Sequence, residues 1–160
     1  MVIVGDGRLS QLIVSVLRTT CSSITCFGRH EVKLETLQKI GVETKIGILP
    51  DNEHSFDLVV EATGNTSGFL DSMRLVKPRG TVILKSTIAS IENLDLTPAV
   101  VNEITLVGSR CGSFRPAIDA LATGIISIDG LIDSEYSLEN FQGEFNRAKE
   151  SNTLKVVLKL

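Results

Sequence analysis

"VIVGDGRLSQL", residues 2–12, is the stretch on which the reading of the fold turns. Three β-branched residues run into a pair of glycines and then into a segment where Leu9, Leu12, Ile13, Val16 and Leu17 fall on one helical face. A strand that turns tightly into a helix is the opening of a βαβ unit.

The rest of the chain repeats that alternation. Strands are expected at residues 24–27, 58–61, 81–84 and 104–107, with a weaker one at 44–48, and Val32, Leu34, Leu37 and Ile40 approximate a second helical face. Gly41 is placed as a C-cap, Thr97 and Pro98 as a helix start, and Gly124 as the end of a helix that follows Ser113. Six strands joined by crossovers imply an α/β fold, a doubly wound parallel sheet of the Rossmann kind.

The tail reads differently. Leu138, Phe141, Phe145 and Ala148 recur on one face, with Glu139 at one end and Arg147 and Lys149 at the other, so a capped amphipathic helix is expected after Ser137. The alternating "TLKVVLKL" that ends the chain is a strand for which the sequence offers no partner, and an unpaired strand recruits other chains. Residues 1–130 are thus expected to form a nucleotide-binding domain, followed at 131–160 by a helix and strand.

Composition narrows the function. A chain of 160 residues with 42% hydrophobic and 22% charged residues builds one core, and a net charge of −3 gives no general attraction to nucleic acid or an anionic membrane. No apolar run approaches the roughly 20 residues of a spanning helix, and Met1 leads into a strand rather than a cleavable leader, so a cytoplasmic protein is expected. Three cysteines, Cys21, Cys26 and Cys111, form no paired framework, in keeping with a reducing compartment.

The spacing in "GDGRLS" is G-x-G-x-x-S, one substitution from the dinucleotide fingerprint. Gly5 allows the tight turn, and Gly7 lets the backbone approach a pyrophosphate. From Leu9 onward the helix turns its free N–H groups towards that anion, and Ser10 is small enough to stand for the third glycine. At the end of the second strand, about 20 residues on, an acidic residue would bond the ribose hydroxyls, but the chain has "CFGRHEVK" instead. Gly28 leaves room there, and the Arg29 guanidinium suits a 2′-phosphate, so NADP(H) is favoured over NAD(H). His30 is placed to assist by stacking or bonding; Lys33 fits a solvated helix start equally well.

Other chemistries lose a required residue. There is no Gly-Lys-Ser/Thr phosphate loop and no G-x-S-x-G elbow, and the one tyrosine, Tyr136, lacks a lysine four residues on. Two histidines, His30 and His54, and unclustered cysteines give no zinc site, so zinc is not expected on this chain. Asp57 and Glu61 lie on one face of a strand, where capping and edge solvation account for them.

In order along the chain, "GDGRLSQL", "FDLVVEATG", "MRLVKPRGTVILKS", "ITLVGSRCGSFRPAIDALATG" and "FNRAKESNTLKVVLKL" resemble the cofactor-binding half of medium-chain, zinc-type alcohol dehydrogenases, over nearly the whole chain. The resemblance implies that Gly5, Gly7, Arg8 and Leu9 hold the pyrophosphate and that Ala62, Thr63 and Gly64 line the groove. It also implies that the segments around Ser86 and Gly108 approach the nicotinamide, with Arg110 on cofactor phosphate or carboxamide.

Members of that family carry roughly 150 residues of catalytic domain ahead of the glycine turn, and in the zinc enzymes those residues hold the metal. The chain therefore resembles an oxidoreductase domain that binds NADP(H) but turns over little by itself. In the family the C-terminal segment returns to the catalytic domain, and association through a sheet edge makes a homo-oligomer reasonable. The alternative is a non-catalytic module that senses dinucleotide or docks a protein through its tail.

Overall fold

The computed structural model describes residues 1–48, 50–87 and 94–159. Six strands, β1 (Val2–Val4), β2 (Thr25–Gly28), β3 (Glu43–Ile46), β4 (Phe56–Glu61), β5 (Val76–Leu84) and β6 (Thr105–Gly108), form one sheet in the order β3-β2-β1-β4-β5-β6. Every neighbouring pair is parallel. The crossovers carry α1 (Arg8–Leu17), α2 (Glu31–Lys39), α3 (Thr66–Leu75) and the short α4 (Thr97–Val101), and α5 (Phe114–Ala122) follows β6.

The direction of winding reverses between β1 and β4. Brought together at one end of the sheet, the loops after those two strands leave a crevice there, where open α/β sheets take their ligands.

The alternation of side chains along β1 explains the two layers. Val2 and Val4 join Phe27, Val59, Phe69, Met73 and Val82 on one face, while Ile3 joins Val14, Cys26, Leu34, Leu37 and Val60 on the other. All three β1 residues are buried, as expected of a parallel strand covered on both faces.

Helix α1 is rotated from its expected face. Leu9 and Val16 are exposed, whereas Ser10, Gln11 and Val14 are buried. The glycine turn sets this rotation by pressing Ser10 against the strand, and Val14 and the half-buried Leu17 then follow at i+4 and i+7. In α2 only Leu34 and Leu37 of the expected stripe are buried; Val32 is 60% exposed. Strand β5 begins earlier than expected. Val76 pairs with Phe56 and Thr81 with Leu58, so the Lys77–Gly80 stretch bulges out, with Arg79 at φ 64°. Thr97 is the first residue of α4 and not its cap; the cap position is Leu96, which makes no side-chain cap, and Asp95 Oδ1 accepts from Thr97 N at 2.8 Å.

The final strand has a partner, which corrects the expectation of an orphan. Strand β8 (Lys155–Lys159) pairs in parallel with β7 (Ile132–Ser137), with α6 (Phe141–Ala148) as the crossover. Arg147 of α6 clamps Asp133 of β7 through Nε and Nη2, both at 2.9 Å. Ser137 makes no side-chain cap; a 3₁₀ turn at Leu138–Asn140 leads into α6. Leu160, expected to extend the strand, lies outside the described residues. No described helix is long and apolar enough to cross a membrane.

Candidate functional site

The crevice has a volume of ≈ 270 Å³ and is floored by the turn after β1. Gly5 sits at φ +123°, and a Cβ there would lie 2.8 Å from the Ala62 carbonyl oxygen and 3.0 Å from Ser10 Oγ. Only glycine fits both that backbone and that contact.

Gly7 is glycine for another reason. Its φ of −74° suits any residue, and a Cβ built on it would meet nothing within 4 Å, so the missing side chain leaves open space at the head of α1. No side chain caps α1, and its first turn holds no acidic residue. At Gly7 the crevice thus meets the head of α1, where a helix leaves backbone N–H groups without intrahelical partners and presents its positive dipole end, features that fit the pyrophosphate of a dinucleotide.

Asp6, between the two glycines, lines the crevice and also ties down the start of the next crossover. Its Oδ2 accepts from Arg29 N at 2.6 Å and His30 N at 2.8 Å, and His30 Nδ1 lies 3.0 Å away. Gly28 owes its identity to this carboxylate, since a Cβ there would sit 2.6 Å from Asp6 Oδ2 and 2.8 Å from Leu34 Cδ2. Gln11 adds a second tie, donating from Nε2 to the Lys33 carbonyl at 2.8 Å.

Burial pushes the Asp6 carboxyl up, but the His30 and Arg29 N–H groups and the His30 ring outweigh it and hold it below the usual carboxylate range. The stabilisation is therefore present above the unfolded value and is lost as pH falls through the lowered folded one. Asp6→Ala is expected to cost about 2 kcal/mol at pH 7, because two N–H groups lose a charged acceptor. Urea unfolding at pH 7 and pH 3 checks this: the gap between variant and wild type should shrink at the lower pH.

Arg29 is exposed and reaches across the mouth of the crevice, where its Nη2 donates to Ser67 Oγ at 2.5 Å. Ser67 in turn donates to Asn65 Oδ1 at 2.7 Å, and the same oxygen caps α3 by accepting from Gly68 N at 2.9 Å. His30, Lys33, Ala62, Thr63 and Asp71 complete the walls.

Glu61 corrects the solvated-edge reading, for it is fully buried at the end of the central strand. Its Oε1 accepts from both Thr63 N and Thr63 Oγ1 at 2.7 Å, which fixes the loop after β4. Among the described residues Oε2 has no partner. Asp57 is exposed and pairs with Lys77.

Of the residues singled out from the sequence, Gly5, Gly7, Gly28, Arg29, His30, Ala62 and Thr63 line this crevice. Arg8 and Leu9 are exposed at the head of α1 outside the lining. Gly64 and Ser86 form a separate link, with Gly64 N donating to Ser86 Oγ at 2.7 Å. Gly108 ends β6 beside Leu84, and Arg110 offers its carbonyl to Lys85 Nζ at 2.6 Å. Asp6, Asn65 and Lys85 were not anticipated. Asn65, a cap-type residue before "TSGF", carried a readable signal; the partners of the other two lie more than 20 positions away.

Cys26 is buried as expected, with its thiol pushed up to about 12 chiefly by burial; Cys21 is half-buried and Cys111 exposed. Among the described residues no group of three or more His, Cys, Asp or Glu side chains could hold a metal.

The family model described as "Glucose dehydrogenase C-terminus" matches residues 1–160. The chain belongs to that family. D-arabinitol dehydrogenase 1 of Uromyces fabae is 32% identical over 113 residues, which cover 68% of this chain and 32% of that protein. Among solved structures, a protein classed as a zinc-binding dehydrogenase from Sinorhizobium meliloti, bound to NADP, superposes with a TM-score of 0.85 at 23% identity, over 99% of this chain and 52% of that one. A short chain alcohol dehydrogenase from Escherichia coli, complexed with NADH, gives a TM-score of 0.85 at 17% identity, over 100% and 52%. The chain spans about a third to a half of the length of the curated relatives it matches.

Proposed function

We propose that this chain is the NADP(H)-holding domain of a zinc-type alcohol or polyol dehydrogenase, and that it turns over little without further catalytic residues. The observation that carries the reading is the head of α1: an uncapped helix end beside Gly7, opening onto a crevice whose rim bears the Arg29 guanidinium. The NADP-bound relative from Sinorhizobium meliloti supports the reading, and the NADH complex from Escherichia coli makes the choice between the two cofactors the point to test.

In this reading Gly5 and Gly7 admit the pyrophosphate, and the N–H groups of Arg8 and Leu9 bond it. Arg29 takes the 2′-phosphate in place of Ser67. Ala62, Thr63 and Gly64 flank the groove, with Ser86 holding the Gly64 N–H. Gly108 and Arg110 stand on the nicotinamide side, where Lys85 pins the loop after β6 to the end of β5. The bound cofactor supplies hydride exchange with an alcohol carbon. Residues 1–130 form the nucleotide-binding unit, and the β7-α6-β8 segment beyond is the part that returns to the rest of a longer enzyme.

Calorimetric titration of the chain with NADPH and NADH tests the proposal. Tighter binding of NADPH by about tenfold or more is expected from one charge-assisted phosphate contact. Equal affinities would remove the NADP(H) preference, and no binding of either would remove the reading.

A further inference from the structure

We propose that His30 reads the 2′ position of the adenosine ribose through its own protonation: as an imidazolium it donates from Nε2 to a 2′-phosphate, and as a neutral ring it accepts there from a 2′-hydroxyl. The proposal rests on the dinucleotide reading above and adds proton-dependent cofactor choice to it.

The basis is the way Asp6 holds the ring. Its carboxylate, with a side chain only 10% exposed, already accepts from two backbone N–H groups and lies 3.0–3.1 Å from His30 Nδ1. An ionised carboxylate can only accept, so Nδ1 must carry the proton. That fixes the tautomer. The neutral ring presents a bare lone pair at Nε2, and the protonated ring presents an N–H.

Nε2 has no hydrogen-bond partner among the described residues, and the side chain is 34% exposed on the wall of the crevice next to Arg29. A dianionic phosphate offers only acceptors, so it meets neutral Nε2 as lone pair against lone pair and the imidazolium as a charge-assisted bond. A ribose hydroxyl, which both donates and accepts, suits the neutral ring.

The charges around His30 come from every side of the crevice. Asp6 in the turn after β1 and Asp71 on the α3 wall are the acidic residues that line it. Arg29 beside His30 and Lys33 in the first turn of α2 are the basic ones, and no charged residue of α1 lines the crevice. A bound 2′-phosphate places a dianion against Nε2. Binding therefore draws a proton from solvent onto Nε2, and by linkage the affinity for 2′-phosphorylated nucleotides falls as pH rises.

The probes are 2′,5′-ADP and 5′-ADP, titrated calorimetrically into the chain and into His30→Gln at pH 6.5 and 8.5, in two buffers of different ionisation heat. Glutamine keeps a donor of fixed protonation. For the wild type, the affinity for 2′,5′-ADP is expected to fall about tenfold more across this range than for the variant, with additional proton uptake, while 5′-ADP changes little. The ring resonances of His30 give a check that needs no variant, with His54 as internal reference. On adding 2′,5′-ADP, the His30 titration should move to higher pH, and 5′-ADP should not move it. Tight 2′,5′-ADP binding with equal pH slopes in both proteins and an unmoved His30 resonance would overturn the role of His30 and leave the dinucleotide reading standing. Failure of both nucleotides to bind would overturn both.

Discussion

Arg29→Ala is expected to weaken NADPH binding by about 30- to 100-fold while shifting NADH by no more than about threefold. The guanidinium lies at the rim where β2 ends, and its partner in the structure is the neutral Ser67 hydroxyl at 2.5 Å. Exchanging that hydroxyl for a dianionic phosphate replaces a charge–neutral bond with charge–charge bonds of fork geometry, which a ribose hydroxyl cannot match. Losing the Ser67 contact alone affects an exposed pair and leaves α3 capped by Asn65. Competition titrations of both nucleotides against wild type and variant measure the split. A parallel loss for both would place Arg29 in general support of the rim and not at the 2′-phosphate.

Gly5→Ala carries the largest expected loss of stability, about 3 kcal/mol or more. Two causes add: a φ of +123° that a side chain strains to adopt, and a Cβ 2.8 Å from the carbonyl of Ala62, a backbone atom tied to the sheet. Ala62 N donates to Val4 O at 2.9 Å, so relief by movement would pull apart the β1 and β4 ends that form the crevice. Gly7→Ala is the contrasting case. With nothing within 4 Å of the added methyl, its cost should stay near 1 kcal/mol, the difference between glycine and alanine at an N-cap, while nucleotide affinity falls. Urea denaturation of the two variants, followed by titration of the folded fractions, separates a glycine needed by the fold from one needed by the ligand.

The sheet was legible because its signals are local. β-branched runs, helical stretches and the punctuation of Gly41 and Gly124 each speak within a few residues, and both glycines adopt positive φ. The facing of α1 was not, because Leu9 and Val16 supply apolar positions that the packing leaves outside, and the small Ser10 that enters the core contributes nothing to an apolar count. Strand β7 was missed for the same kind of reason. "IDSEYS" carries no apolar alternation, and its strand form comes from pairing with β8.

Of the crevice lining, Gly5 and Gly7 were legible from their spacing, and Gly28 and Arg29 from their place at the end of the second strand. The tie from Asp6 to Arg29 and His30 spans more than 20 positions and exists only once β1 and β2 lie side by side. Glu61 likewise looked like an edge carboxylate until β4 was placed at the centre of the sheet, between β1 and β5.

The most direct test is to map where NADP⁺ binds by following backbone amide resonances of the isotope-labelled chain during titration. Shifts concentrated at Gly7, Arg8, Leu9, Arg29 and Thr63, with β7 and β8 unmoved, are expected if the turn after β1 holds the pyrophosphate and the β2 end holds the 2′-phosphate. Shifts confined to any other face, or none at saturating nucleotide, would contradict it.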